Sequence, residues 1–158
     1  MNEVWQAIVE DFSDVPDLAT LARICVRLLI AALLGGVLGY ERERHGKAAG
    51  LRTHMLVSLG AALFVLVPQQ AGASSSDLSR VIQGIVTGIG FVGAGSILKD
   101  PDRQKIQGIT TAAGVWLTAA IGIAAGLGRE ASAIAGALMA LVILSLLQRF
   151  EPAEAKQE

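Results

Sequence analysis

Apolar residues occur along this chain in five long runs, which are separated by short segments of charged and polar residues. At a rise of about 1.5 Å per residue, a helix formed by such a run is long enough to cross most of a lipid bilayer. The pattern therefore predicts an all-α fold, an integral membrane bundle of five transmembrane helices. The predicted spans are residues 18–40, 54–70, 81–98, 109–127 and 131–148.

The segments outside these runs are short. Residues 1–17 are predicted to form an acidic lead-in and residues 149–158 a short charged tail, so no soluble C-terminal domain is expected. The lead-in contains no Lys or Arg, whereas a secretory signal peptide begins with a basic region. Trp5 and Phe12 favour a short amphipathic helix at the membrane interface within the lead-in.

Basic residues are concentrated in alternate connections between the predicted spans. Four Lys or Arg residues lie between the first two spans and three between the third and fourth, whereas the second and fourth connections hold one each. Because positive charge favours the cytoplasmic side of a membrane, this alternation predicts an N-terminus outside and a C-terminus in the cytoplasm.

Composition agrees with a membrane protein and excludes several other classes. Hydrophobic residues make up 53% of the 158 residues and charged residues 17%, whereas about 25% charge is usual in soluble domains. Two histidines and one cysteine are too few for a structural zinc site or an internal disulfide. We expect no metal, no cofactor, no nucleic-acid partner and no enzymatic activity, because no constellation of catalytic residues stands out in the sequence.

Glycines are frequent in the third span, which is predicted to be the central helix of the bundle. Glycine lets neighbouring helices approach closely in lipid, so these residues are expected to serve helix packing. They are Gly84, Gly88, Gly90, Gly93 and Gly95. Three of them, Gly88, Gly90 and Gly93, also match the dinucleotide pattern G-x-G-x-x-G. That pattern indicates a nucleotide site only after a strand and with an acidic residue about 20 positions later, where this chain has Thr110 and Thr111.

Arg27 is the most deeply placed charge in the predicted spans, about 12 to 15 Å from the start of the first one. A charge at such depth is costly, so Arg27 is expected to face the bundle or a wet cavity. No carboxylate is expected at the same depth. Its predicted partners are carbonyl groups freed in glycine-rich contacts, or Gln83 and Thr87, with water and another subunit as alternatives. A second close contact is predicted from Gly35 and Gly39, which are spaced as a small-xxx-small pair.

Further candidate functional residues lie at the predicted cytoplasmic ends of the spans: Glu41, Arg52, His54, Thr110 and Thr111. For Glu41 and Arg52 there are two alternatives. One is a half-buried polar cluster that seats the helices or contacts a partner or an ion, and the other is a solvated loop. Residues 42–47 are expected to be solvated. For His54 and the two threonines, the alternatives are helix capping and a shared polar vestibule. No acidic residue lies in the middle of a span, which argues against a self-sufficient magnesium transporter.

Three segments resemble the MgtC/SapB (YhiD-like) family of bacterial inner-membrane proteins. They are YERERHGKAAGLRTHMLVSLGAALF, GIGFVGAGSIL and GITTAAGVWLTAAIGIAAG, which lie within residues 36–64, 88–98 and 108–126. The resemblance covers about residues 20–147. The family's motif positions correspond to residues to which the resemblance gives no defined roles. These are Arg27, Glu41, Arg42, Gly50, Arg52, Thr53, Gly90, Gly93, Gly95, Thr110 and Thr111.

The resemblance implies a multi-pass protein of the inner (plasma) membrane without known catalytic activity. It implies a role in adaptation to magnesium limitation or in virulence, exercised partly through binding other membrane proteins. We expect the chain to act in this way as a homo-oligomer in the lipid bilayer. The alternative is a small ion or solute transporter or channel linked to magnesium. Many members continue into a soluble domain, so an activity that rests on that domain would be absent here or supplied by another chain.

Overall fold

A computed structural model describes residues 2–11, 15, 17–99 and 106–146. The described residues are almost entirely helical, as the apolar pattern predicts. The helices are α1 (Asn2–Asp11), α2 (Leu18–Arg44), α3 (Leu51–Gln70), α4 (Ser75–Gly95), α5 (Ile109–Gly126) and α6 (Glu130–Leu141). A π-helical turn, Val142–Leu146, continues α6. Between α4 and α5, strands β1 (Leu98–Lys99) and β2 (Ile106–Gln107) pair antiparallel as a two-residue ribbon.

Four helices, α2 to α5, are long and apolar enough to cross a membrane. The segment Glu130–Leu146, formed by α6 and its π-helical turn, is shorter than these four. A fifth span and the sides on which the termini lie therefore remain predictions. The end of the predicted fifth span, residues 147–148, and the predicted tail, residues 149–158, lie outside the described residues.

At several ends the helices extend beyond the predicted spans and take in polar residues. α2 continues to Arg44, so part of the predicted first loop is helical. α4 begins at Ser75, before the predicted start of the third span, because Ser74 and Asp77 form a capping box. The Ser74 hydroxyl accepts a hydrogen bond from the Asp77 backbone N–H, and the Asp77 carboxylate accepts one from the Ser74 N–H.

α3 packs against α2 through the predicted small-xxx-small pair. A Cβ atom at Gly35 would lie 2.5 Å from the carbonyl oxygen of His54, and one at Gly39 would lie 2.7 Å from the Cα atom of Leu51. Both distances are far below a van der Waals contact, so only glycine allows the two backbones to come this close. The predicted role of Gly35 and Gly39 is confirmed.

α3 also packs against a second pair of glycines, on α5. Gly122 faces the carbonyl of Ser58, and a Cβ atom at Gly126 would lie 2.5 Å from the carbonyl oxygen of Ala62. α3 therefore packs against two glycine pairs that have the same four-residue spacing. α3 and α5, rather than α4, occupy the centre of the bundle.

Small residues also fill the core between α2, α5 and α6. Its fully buried members are mostly alanines: Ala31, Leu38, Ala62, Ile121, Ala125, Ala133, Ala137 and Ala140. Side chains of this size keep helix axes close together, which favours van der Waals packing in lipid.

α4 lies at the periphery, and the prediction that it is the central helix is wrong. Only 6% of its span is buried within the chain, against 50% for α5. The residues of α4 that pack against α3 and α5 are branched ones: Val81, Ile82, Ile85 and Ile89. Of the five predicted packing glycines, Gly93 lies against Ala112, while the other four have nothing within 4 Å of an added Cβ atom. They are Gly84, Gly88, Gly90 and Gly95.

Candidate functional site

Six buried polar or charged side chains are distributed over α2, α3 and α5: Glu41, Arg42, His54, Ser58, Thr111 and Thr118. We call the end of the bundle at which α2 ends and α3 and α5 begin the Arg42 end. Four of these residues, Glu41, Arg42, His54 and Ser58, contain buried side-chain atoms that have no hydrogen-bond partner among the described residues, and we call them the buried polar row.

Glu41 and Arg42 lie in the last turn of α2 and form an ion pair. Arg42 NH1 is 3.6 Å from Glu41 Oε2, and His45 Nδ1 is 3.1 Å from Glu41 Oε1. Arg42 is only 2% exposed, so the prediction that residues 42–47 are solvated is wrong for this residue. Because α2 continues to Arg44, the helix holds both side chains against the bundle. Glu41 is buried as the cluster hypothesis requires, whereas Arg52 is exposed.

The end of α2 is joined directly to the start of α3. The Glu43 carboxylate accepts a hydrogen bond of 2.7 Å from the Leu51 backbone N–H, one of the donors that a helix start leaves without an intrahelical partner. A Cβ atom at Gly50 would lie 2.6 Å from Glu43 Oε2. The bond explains how a connection of six residues can turn the chain back on itself while keeping α3 close to α2.

His54 is fully buried in the first turn of α3. Its Nδ1 atom is 3.0 Å from the carbonyl oxygen of Gly50. A carbonyl only accepts hydrogen bonds, so Nδ1 carries the proton and Nε2 is left as an acceptor. Nε2 points towards α5, where a Cβ atom at Gly114 would lie 3.7 Å away, and it has no hydrogen-bond partner in the chain.

Ser58 lies one helical turn further along α3, on the same face as His54. Its side chain is fully buried between Gly35 and Gly122, and its hydroxyl has no hydrogen-bond partner in the part of the chain that the structure describes. On Arg42, Nε and NH2 are likewise buried and unpaired. The buried polar row thus combines donors on Arg42, an acceptor on His54 and the Ser58 hydroxyl, which can donate or accept a hydrogen bond. Such groups can bind water or a small polar solute.

The predicted threonines behave differently from one another. Thr110 is exposed and Thr111 is buried at the Arg42 end. Neither forms the predicted cap, because the N-cap residue of α5 is Gly108, which makes no side-chain capping hydrogen bond. Gly108 has a left-handed φ of +90° and faces the carbonyl of Ser96, so glycine is required there.

Sequence reasoning missed Thr118, which is fully buried and donates to the carbonyl of Gly114 at 2.8 Å.

Arg27 lies at the other end of the bundle and joins three helix ends. Its NH1 group donates hydrogen bonds to Gln69 Oε1 at 3.0 Å, near the end of α3, and to the Gly126 carbonyl at 3.2 Å, at the end of α5. Its Nε atom is 3.9 Å from Glu130 Oε1, at the start of α6. Gly128, with φ of +73°, packs against the guanidinium. We call this the Arg27 end.

These partners confirm one part of the Arg27 prediction and correct two. A carbonyl in a glycine-rich contact is present, at Gly126. Gln83 and Thr87 are not partners, since Thr87 donates to the carbonyl of Gln83 within α4. The expectation of no carboxylate at the same depth is wrong, because the turn before α6 brings Glu130 to Arg27. Among the described residues, no three His, Cys, Asp or Glu side chains converge in a way that could hold a metal ion.

Comparison with known proteins decides the family. The model of the MgtC family matches residues 28–153, most of the chain and nearly all of the described bundle. The chain belongs to the MgtC family. No solved structure matches it.

Curated relatives of this MgtC-family chain come from several bacteria. Protein SrpB of Synechococcus elongatus is 44% identical over 136 residues, covering 79% of this chain and 75% of SrpB. The putative magnesium transporter YhiD of Escherichia coli is 42% identical over 135 residues, covering 81% of this chain and 62% of YhiD. Protein MgtC of Brucella abortus is 40% identical over 128 residues, covering 81% of this chain and 52% of that protein. The match therefore spans about half to three quarters of these relatives.

Proposed function

We propose that this MgtC-family chain is a non-enzymatic protein of the bacterial inner membrane that binds other membrane proteins during adaptation to magnesium limitation or to growth in a host. The link to magnesium is supported by the name of YhiD, a putative magnesium transporter that is 42% identical to the chain. Binding through a helix surface is supported by the position of α4, a candidate span that is almost unburied within its own chain.

The single observation that carries this proposal is an apolar crevice between α3 and α4. The crevice has a volume of about 470 Å³ and is bordered by glycines from both helices, Gly60, Gly84 and Gly88. An added Cβ atom at any of the three would meet nothing within 4 Å. In lipid, helices associate where small residues admit a neighbour closely, so the expected occupant is a transmembrane helix of another membrane protein.

Substitution of the crevice glycines tests the proposal. Gly84→Leu and Gly88→Leu place a side chain in the crevice, where an added Cβ atom meets nothing within 4 Å, so the protein should fold normally but lose its partners. Gly90→Leu is the matched control, because Gly90 has equally open surroundings but lies on another face of α4. Proteins recovered with the tagged chain from native membranes are compared, together with growth at low magnesium. If the crevice variants recover the same partners as Gly90→Leu, the proposal is wrong.

A second candidate function, transport of a small ion or solute, is favoured by the buried polar row. Buried unpaired donors and acceptors each cost about 1–3 kcal/mol, which a structure retains most readily when they serve a bound molecule. Purified chain in proteoliposomes should take up no magnesium if the leading proposal holds. Magnesium uptake that His54→Ala abolishes would replace the leading proposal with this one.

A further inference from the structure

α1 exposes an apolar surface that nothing in the described chain covers. The exposed fractions are 66% for Val4, 68% for Trp5, 43% for Ile8 and 52% for Val9. These four residues follow the helical repeat and fall within an arc of about 140° on one side of α1, whereas Gln6 and Glu10 fall on the other side. α1 is therefore an amphipathic helix whose apolar side has no partner among the described residues.

The position of α1 in the chain limits what can cover that side. Six residues separate Asp11 from Leu18, where α2 begins, so the end of α1 lies within about 25 Å of the start of a candidate span. Leu18 is 81% exposed, which places apolar surface at the very start of α2. The nearest apolar medium for Val4, Trp5, Ile8 and Val9 is thus the bilayer in which α2 begins, and Trp is a residue favoured at that interface.

The charge of this region is unusual for a helix on a membrane surface. Such helices are commonly rich in Lys and Arg, which are attracted to anionic lipids. Residues 1–22 contain no Lys or Arg and five acidic residues: Glu3, Glu10, Asp11, Asp14 and Asp17. Attraction between opposite charges cannot hold α1 on the membrane. Anionic headgroups repel it, and salt weakens that repulsion.

We propose that α1 lies in the plane of the membrane on the side where α2 begins, with Val4, Trp5, Ile8 and Val9 buried at the boundary between headgroups and acyl chains. The helix is held there by apolar contact alone, so it docks on neutral lipids and is released from anionic lipids at low salt. The position of α1 therefore follows the charge and the salt concentration at that membrane surface.

Tryptophan fluorescence of the full chain tests this proposal. Trp5 and Trp116 are its two tryptophans, so Trp116→Phe leaves Trp5 as the only reporter. In neutral phosphatidylcholine bilayers, bromine near the headgroups should quench Trp5 several-fold more than bromine deep in the acyl chains, and aqueous acrylamide should quench it weakly. With half of the lipid replaced by phosphatidylglycerol, quenching by bromine should fall at low salt and return at high salt.

Two substitutions separate the apolar side of α1 from its polar side. Ile8→Glu should abolish quenching by lipid bromine, whereas Gln6→Glu, which adds the same charge on the other side, should keep it in neutral lipid. Strong acrylamide quenching in the parent chain would overturn the proposal. So would tighter docking on anionic lipid, or quenching that changes with the ratio of protein to lipid, because the last result would mean that another copy of the chain covers α1.

Discussion

The carbonyl oxygen of His54 faces Gly35 so closely that a Cβ atom at Gly35 would lie 2.5 Å from it. The same short stretch of α3 is also approached by α5, where Gly122 faces the carbonyl of Ser58. Backbone therefore packs on backbone where α3 meets α2 and where it meets α5. Any side chain at these glycines must push two helices apart, because there is no flexible neighbour that can give way.

We expect Gly35→Ala to destabilise the chain by about 1–3 kcal/mol, as overpacking of a tight core does. Thermal unfolding of the purified protein in detergent measures the change. Gly84→Ala is the control, since an added Cβ atom there meets nothing within 4 Å and alanine is the better helix former. Equal midpoints for the two variants would mean that α2 and α3 do not approach as described.

Removal of Arg27 should weaken the Arg27 end of the bundle. Arg27→Leu leaves Gln69 and the Gly126 carbonyl without their donor, which should cost about 1–3 kcal/mol of stability. Arg27→Lys should restore only part of that stability, because the compact lysine ammonium lacks the planar fork of donors that a guanidinium offers. Glu130→Gln should change stability little, because that pair is 3.9 Å apart and partly exposed. A double-mutant cycle with Gln69→Ala should reveal coupling, and its absence would show that the two side chains act independently.

Ser58→Ala should leave stability unchanged or raise it. The Ser58 hydroxyl is buried without a partner in the chain, so its removal ends a desolvation cost and breaks no bond. Ser58→Val is the contrasting variant, because Gly35 and Gly122 leave no room for extra methyl groups. The thermal unfolding midpoints of the two variants are compared with that of the parent chain. A clear loss of stability for Ser58→Ala would show that the hydroxyl is bonded to something beyond the chain.

Acid should loosen the first turn of α2. The Asp17 carboxylate accepts a 2.6 Å hydrogen bond from the Thr20 backbone N–H, and this bond lowers the pKa of Asp17 below its ordinary value. The Asp17 cap therefore stabilises the start of α2 fully when the pH is above the ordinary pKa of an aspartate. This stabilisation is lost as the pH falls through the lowered pKa of Asp17. Hydrogen exchange at Thr20 should accelerate relative to the interior of α2 between about pH 5 and pH 2. Asp17→Asn, which caps without a charge, should remove this dependence.

The predicted orientation can be tested by cysteine labelling in intact cells. In a Cys25→Ser background, a cysteine introduced by Ser75→Cys should react with an impermeant thiol reagent, and one introduced by Lys47→Cys should not. The basic connections between spans give the physical reason, since they favour the cytoplasm. The same protection is predicted for Lys105→Cys, although Lys105 lies outside the described residues. The opposite labelling pattern would contradict an N-terminus on the outside.

Features that depend on local sequence were predictable. The apolar runs fix the helices because lipid leaves a backbone few other ways to satisfy its hydrogen bonds. The spacing of Gly35 and Gly39 identified one close contact for the same local reason. Arg42 was misplaced because a dense run of charges suggests a loop, whereas here the helix continues through it to Arg44 and turns the side chain inwards.

Features that depend on what lies opposite a residue were not predictable. Five glycines in one segment show that α4 can be approached closely, but not whether the approaching helix belongs to the same chain. Glu130 escaped notice as a partner of Arg27 because 103 positions separate them, and only the turn between α5 and α6 brings them together. His54 and Ser58 look unremarkable in sequence, and their unpaired atoms emerge only from packing.

Unequal helix lengths have a consequence for the surrounding lipid. α2 has 27 residues and α5 has 18, or about 40 Å and 27 Å, and both reach the Arg42 end. Since Arg27 is level with Gly126, the last residue of α5, the excess of α2 over residues 18–26 stands about 13 Å beyond its neighbour. Leu18 and Leu21 expose apolar surface on this extension. The lipid hydrocarbon that covers these two residues extends beyond the level of Arg27. The bilayer is therefore expected to be thicker beside α2 and thinner over the turn between α5 and α6.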